Sequence, residues 1–247
     1  MGVLTDFELD YSFVDEIESQ VAAVVVAAGS GERFKGDKQF ADLLGVPVLA
    51  RTLSVFDGCP HIRDIVVVGK KDSVADIQNL CDRYEISKVT AVVEGGKNRF
   101  EAVVNGVKAC SPDISFFAIH DGARPLVTDE IIADAVLRAK ETGGAAPAVK
   151  VKDTVKRVNV EKRVVETPKR DFLYAVQTPQ VFDSRLYKKA LEKVENSDEE
   201  FTDDCSVMEF AGFDVFLTDG SYENIKITTP DDLEIARTIL ERRKIGD

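Results

Sequence analysis

One stretch limits the possible folds of this chain more than any other. Val21–Ala28 (VAAVVVAA) is an unbroken run of eight small or β-branched residues without a charge. Such a run offers no polar face, so as a strand it must be covered on both sides. It is also the longest uncharged apolar run, far short of the roughly 20 residues a membrane span requires, so no transmembrane helix is expected. Three later segments read the same way: Asp64–Gly69, Lys88–Glu94 and Ser115–His120. Between them the apolar residues recur at helical spacing, over about Val48–Phe56, then at Val74, Ile77, Leu80, Cys81 and Tyr84, then at Phe100, Val103, Val104 and Val107. Asp129–Lys140 continues the pattern after the fourth strand. Strands that alternate with helices predict an α/β, doubly wound, mostly parallel sheet of Rossmann-like type.

The rhythm changes at Gly144. Short β-like runs, Ala145–Val151, Thr154–Val160 and Arg163–Thr167, follow one another without a helix between them. This predicts a β-rich excursion, an arm over about 144–170, whose valines cannot all be buried by one chain. A helix near Ser184–Val194 and a strand at Phe213–Thr218 come next. The closing helix is signalled by Thr229 at the N-cap, Pro230 at the first helical position, Asp231 and Asp232 in the first turn, and a stripe of Leu233, Ile235, Ala236, Ile239 and Leu240. The expected organisation is an acidic extension over 1–20, one domain over 21–243, and a tail over 244–247. The extension is expected to be dispensable.

Charge and cysteine usage exclude several classes of function. The net charge is −12, but residues 1–20 and 195–204 each carry six acids and no base, so the remaining body is neutral and can hold a local basic pocket. No basic patch interleaved with aromatics occurs and Trp is absent, which argues against nucleic acid as a partner. The four cysteines have no CxxC spacing and there are two histidines, which argues against a disulfide framework and a zinc site. The first twenty residues have no base and no apolar core of a signal peptide. Reduced packing cysteines in a cytoplasmic protein are the expectation.

The chemistry lies where strands end. The first strand runs into Gly29-Ser30-Gly31-Glu32-Arg33, with Lys35 and Lys38 following. Small residues at the end of a parallel strand let backbone N–H groups approach phosphate oxygens, and the bases add charge. It is neither a P-loop, because Gly-Lys-Ser/Thr is absent, nor a dinucleotide fingerprint, because Phe34 stands at the third glycine. Gly95-Gly96-Lys97-Asn98-Arg99 follows the third strand, and Asp121-Gly122-Ala123-Arg124 the fourth, after His120, which reads as a packing or hydrogen-bonding residue. Three strand ends with glycine plus base, one adding a carboxylate suited to Mg²⁺, describe a site for a nucleoside triphosphate with its metal.

In order, AAGSGERF with DKQF, EGGKNR, HDGARP, VKDTVKR, QTPQVF, FTDDCSVME and NIKITTPDDL resemble the 2-C-methyl-D-erythritol 4-phosphate cytidylyltransferase family over residues of about 20–243. The resemblance implies transfer of CMP from CTP to the phosphate of methylerythritol phosphate, with release of pyrophosphate, in non-mevalonate isoprenoid synthesis. It implies a Mg²⁺-dependent homodimer that exchanges its arm between subunits. By the same resemblance Arg33 and Lys38 hold the triphosphate and the transition state, with Ala27, Ala28, Gly29 and Gly31 supplying backbone. Gly95, Gly96, Arg99 and Gly122 belong to the nucleotide side, and Asp121 to the metal and ribose. Arg124, Thr178, Thr202 and Lys226 line the acceptor side, Lys226 also counting with the catalytic residues. Thr154 and the catalytic Arg170 reach in from the partner's arm. One departure is Ala102, which stands where the family usually has a serine near the nucleotide.

A sibling family that makes CDP-ribitol from ribitol 5-phosphate shares the glycine loop and the TPQ motif; HDGARP and TDDCSVME favour the isoprenoid enzyme. Other sugar-alcohol phosphates fall under the same alternative. A non-catalytic nucleotide-binding regulator is the alternative of another class, and the joint retention of Arg33, Lys38, Asp121 and Lys226 argues against it.

Overall fold

The structure is a computed structural model that describes residues 20–246 other than 30, 35, 196, 198 and 200. The expected acidic extension lies outside the described residues except for Gln20, whose carbonyl accepts from the N–H groups of Ser115 and Phe116 and so belongs to the sheet. In chain order, β1 (Val21–Val26) leads through a small hairpin, β2 (Asp42–Leu43) and β3 (Val46–Pro47), into α1 (Val48–Gly58). Then come β4 (Asp64–Gly69), α2 (Val74–Arg83), β5 (Val89–Glu94), α3 (Arg99–Ala109), β6 (Phe116–Asp121) and α4 (Asp129–Thr142). The second half holds β7 (Gly144–Lys150), β8 (Arg157–Val158), β9 (Val164–Glu166), β10 (Tyr174–Val176), β11 (Gln180–Asp183), α5 (Ser184–Val194), α6 (Asp204–Phe210), β12 (Phe216–Asp219) and α7 (Pro230–Gly246).

The main sheet runs β10-β7-β11-β6-β1-β4-β5, with β12 parallel to β7. The four strands β6-β1-β4-β5 are parallel, and β11 joins them antiparallel. The expected mostly parallel α/β sheet is what forms. Why β1 carries no polar residue is now visible. Val21, Ala23 and Val25 pack with Leu53, Phe56, Ile77 and Ile132 on one face, while Ala22 and Val24 pack with Val103, Tyr187 and Met208 on the other. Each large apolar side chain taken fully out of water there contributes about 1.5–3 kcal/mol. A third cluster, with Leu43, Leu126, Ile227 and Leu233, seats α7 against the hairpin and so fixes the segment that carries Lys226.

Two boundaries differ from expectation. Gly144–Lys150, assigned to the start of the arm, is a strand of the main sheet, and its first five residues are buried. The cause is local: α4 stops at Gly143, whose φ of +84° reverses the chain directly into the sheet without a crossover helix. The arm proper therefore begins beyond Lys150, where β8 and β9 pair only with each other. The expected tail from 244 is helical as far as 246, because α7 continues to Gly246. In that helix Asp232 accepts from the N–H groups of Thr228 and Thr229 and Thr229 Oγ1 accepts from the N–H of Asp232, as a capping pair, but Ile235 is half exposed and stands outside the apolar stripe.

Candidate active site

Three backbone bonds continue the sheet ladder one step past the strand ends. Ala27 N–H donates to Val68 O at 2.7 Å, Gly95 N–H to Gly69 O at 2.8 Å, and Gly122 N–H to Val26 O at 2.9 Å. They lock the glycine loops after β1, β5 and β6 onto one edge of the sheet, the edge where ligands of open α/β folds bind. Between β1 and β5 lies β4, and its end contributes Gly69-Lys70, a fourth glycine followed by a base. The loops enclose a cavity of about 1010 Å³. Glycine is required in its lining and just behind it. Gly31 has φ +69°, and a Cβ at Gly95 would lie 2.6 Å from the Cβ of Ala28.

The cavity is strongly cationic in a chain that is acidic overall. Arg33, Lys38, Lys70, Lys97, Arg99 and Lys226 line it, and Asp121 is the one carboxylate among its described lining residues. Asp121 is almost fully buried, and its Oδ2 lies 3.0 Å from Lys226 Nζ and 3.4 Å from Arg124 Nε. Its Oδ1 is 3.8 Å from Arg99 Nε. Burial on its own pushes this carboxyl up, but Lys226, Arg99 and Arg124 outweigh it and hold the group well below the usual carboxylate range, so it stays ionised. Lys38 donates to Ile227 O at 3.2 Å, and burial together with nearby Lys226 lowers its ammonium from the ordinary value. An ammonium under that pressure gains most from an arriving anion.

Behind Asp121 sits a buried relay. Arg124 O can only accept, so His120 Nε2 carries the proton and donates to it at 3.3 Å. Nδ1 is then an acceptor, and Thr178 Oγ1 donates to it at 3.0 Å while accepting from the N–H of Asp121 at 3.2 Å. Burial drops the His120 pKa to about 3, so the imidazole is neutral at physiological pH. As expected, His120 is a hydrogen-bonding residue, here one that anchors the end of β6.

Of the residues singled out from the sequence, the fold brings Ala28, Gly29, Gly31, Arg33, Lys38, Gly96, Arg99, Asp121 and Lys226 together around the cavity. Ala27, Gly95, Gly122, Arg124 and Thr178 stand behind that lining; Arg124 also donates to Asn224 O at 2.7 Å. Three expected residues are not at the cavity. Thr202 opens onto a separate groove between α3 and α5, and Thr154 and Arg170 are exposed on the arm, where Arg170 donates to Lys152 O at 2.8 Å. Lys70, Gln39 and Thr228 line the cavity and were missed; the Gly69-Lys70 pair carried the same glycine-plus-base mark as the other strand ends.

The donor set bears on a metal. Among the described residues no three His, Cys, Asp or Glu side chains cluster as a protein-only cage would need. A single hard carboxylate beside a triphosphate-sized cationic cavity is the arrangement that suits Mg²⁺, which keeps few protein ligands and takes phosphate oxygens for the rest. Asp121 fits that role through Oδ1, the less engaged oxygen.

Comparison with known proteins places relatives of one kind beside this chain. A family model described as 2-C-methyl-D-erythritol 4-phosphate cytidylyltransferase matches residues 21–242. The chain is 43% identical to the protein of that name from Alkaliphilus oremlandii over 231 residues, which is 92% of this chain and 98% of the relative. It is 44% identical to that of Halalkalibacterium halodurans, covering 91% and 99%. Among solved structures, a 4-diphosphocytidyl-2C-methyl-D-erythritol synthase from Anaerococcus prevotii superposes with a TM-score of 0.81 at 32% identity, over 90% of this chain and 98% of that one. The 2-C-methyl-D-erythritol 4-phosphate cytidylyltransferase of Thermus thermophilus gives 0.73 at 26% identity, over 88% and 98%.

Proposed function

The chain belongs to the 2-C-methyl-D-erythritol 4-phosphate cytidylyltransferase family, and from that premise we propose that it transfers CMP from CTP to 2-C-methyl-D-erythritol 4-phosphate, with release of pyrophosphate. The observation that carries this is the buried carboxylate Asp121, collared by Lys226, Arg124 and Arg99 and sharing one cavity with Arg33 and Lys38.

The step needs no general base. A phosphate monoester has its second pKa near about 6, so its oxygen arrives largely deprotonated. That oxygen forms a bond to the α-phosphorus, the bond to the bridging oxygen breaks, and pyrophosphate leaves with the electron pair. The obstacle is charge: two anions 4 Å apart repel by about 1 kcal/mol per pair of unit charges in water and more in a drier cleft. Arg33 and Lys38 offset it at the triphosphate, and the backbone at Ala28, Gly29 and Gly31 cradles the phosphates, while Ala27, whose N–H is held by Val68 O, fixes the start of the loop. Gly95, Gly96, Gly122 and Arg99 border the nucleoside. A divalent cation, Mg²⁺ in this reading, supplies further charge neutralisation when bound through Asp121. Lys226, with Arg124 behind it, faces the acceptor, and Thr178 serves by holding the Asp121 backbone.

The reading includes a homodimer. The arm exposes Val155, Val158, Val160, Val164, Val165 and Phe172, which the described residues of one chain leave uncovered. Pairing with the same segment of a second copy covers them and carries Thr154 and Arg170 to the partner's acceptor pocket. A cytoplasmic setting is consistent with four unpaired cysteines, and no helix among the described residues is long and apolar enough to cross a membrane. The test is pyrophosphate release from CTP and Mg²⁺ with each candidate acceptor. Release with methylerythritol phosphate alone is expected. Release with ribitol 5-phosphate instead would assign the sibling reaction, and CTP binding without release would assign a regulator.

A further inference from the structure

Residues 195–204 carry six acids and no base, yet Asp204 is only 1% exposed. A buried carboxylate needs donors, and this one has them. Tyr187 Oη donates to Oδ1 at 2.7 Å and Arg99 Nη2 donates to Oδ2 at 2.7 Å. The N–H groups of Asp204 and Cys205 both donate to Gln180 Oε1, at 2.8 and 3.0 Å, which fixes the segment against β11. Tyr187 itself is fully buried and stacked on Phe182 at 5.1 Å, so its hydroxyl has one place to go.

All of this converges on Arg99, which stands between two carboxylates and is shared unequally. It makes a short bond to Asp204 but stays 3.8 Å from Oδ1 of Asp121, beyond hydrogen-bond length. Oδ2 of Asp121 is taken by Lys226 and Arg124, so Oδ1 is the oxygen left for the cavity. We infer that Asp204 is a positioning residue: by holding Arg99 it keeps Oδ1 of Asp121 open and aims the remaining guanidinium N–H groups at the nucleotide. The inference rests on the reading of the cavity as a CTP site. With the charge of Asp204 removed, Arg99 relaxes onto Asp121, the other carboxylate in reach, and closes Oδ1.

The test is calorimetric titration of CTP with Mg²⁺, without acceptor, into the wild-type chain, Asp204→Asn, Arg99→Gln and the double variant, alongside acceptor KM. Asp204→Asn keeps the shape and the Tyr187 bond; it is expected to weaken CTP binding about ten-fold and to leave acceptor KM within about two-fold, since charged hydrogen bonds carry effects of that size. The double variant is expected to bind no worse than Arg99→Gln alone, because one residue acts through the other. Unchanged CTP affinity in Asp204→Asn, or effects that add in full, would overturn the inference and leave Asp204 a purely structural residue. Should Asp204→Asn not fold, Tyr187→Phe, which loosens the same carboxylate, is expected to weaken CTP about three-fold, and unchanged affinity there overturns the inference equally. If the wild-type chain binds no CTP, the reading of the cavity falls and takes this inference with it.

Discussion

Around the cavity several charged groups already have protein partners: Lys38 bonds Ile227, Lys226 and Arg124 flank Asp121, and Arg99 bonds Asp204. Along the arm, valines stand in water and β8 and β9 pair over only two registered positions. One region is built to wait for a ligand in a fixed geometry, which is how electrostatic stabilisation escapes reorganisation cost. The other exposes apolar side chains that the proposed second copy of the chain would cover. In the proposed reading a single chain holds the nucleotide, whereas the acceptor half of the site is completed by a second chain.

The largest expected effects lie at the charged cavity. Arg33→Ala or Lys38→Ala is expected to lower kcat by about 10²–10³, the range for loss of one electrostatic donor, with CTP affinity changing less. Steady-state rates with both substrates varied check this, and near-wild-type turnover in both variants would remove them from the chemistry. At the arm the expected pattern is different. Arg170→Ala should raise acceptor KM and lower kcat, together about ten-fold or more for a bidentate phosphate contact, while CTP binding stays intact. The wild-type chain is expected to sediment as the proposed dimer, and Val158→Asp with Val164→Asp is expected to leave a monomer in sedimentation velocity and reproduce the Arg170 pattern.

How much of this contrast is legible in the sequence depends on how local its cause is. The strand Val21–Val26 and the glycine loops were readable because a doubly buried strand and a phosphate-sized turn restrict residues that are adjacent in the chain. The start of the arm was not. Gly144–Lys150 looks equally β-like in an arm or in a sheet, and only its pairing with β11, β10 and β12 decides. Asp204 was unreadable for the same reason, because its partner Arg99 is 105 positions away and nothing nearby marks it as buried. Lys70 is legible by the same local mark: Gly69-Lys70 ends a strand between two others whose ends carry glycine and a base.

Two smaller effects sharpen the nucleotide side. Ala102 is buried and lines the cavity at the position of the expected serine. Ala102→Ser is expected to tighten CTP by up to about ten-fold, from a net hydrogen bond of about 0.5–1.5 kcal/mol; loss of binding would show that the hydroxyl meets an unsuitable surface. At the start of α7, burial alone would raise the Asp232 carboxyl, but the N–H groups of Thr229 and Thr228 outweigh it and lower the pKa. The stabilisation is therefore fully present above the unfolded value of about 4 and is lost as pH falls through the lower folded one. Asp232→Ala should cost about 0.5–2 kcal/mol in urea unfolding at pH 7, with the difference shrinking below about pH 4. A cost independent of pH would assign it to packing instead.

The most direct test of the two-chain site is complementation. A Lys38→Ala chain and an Arg170→Ala chain, each impaired alone, are mixed under conditions in which subunit exchange is verified by mass. If Arg170 acts across the interface, one site of each heterodimer carries both lesions and the other carries neither. Activity is then expected to return toward about half of the wild-type value per heterodimer, as isologous symmetry requires. Exchange without any rise above the separate variants would place Arg170 in its own chain's site and contradict the account.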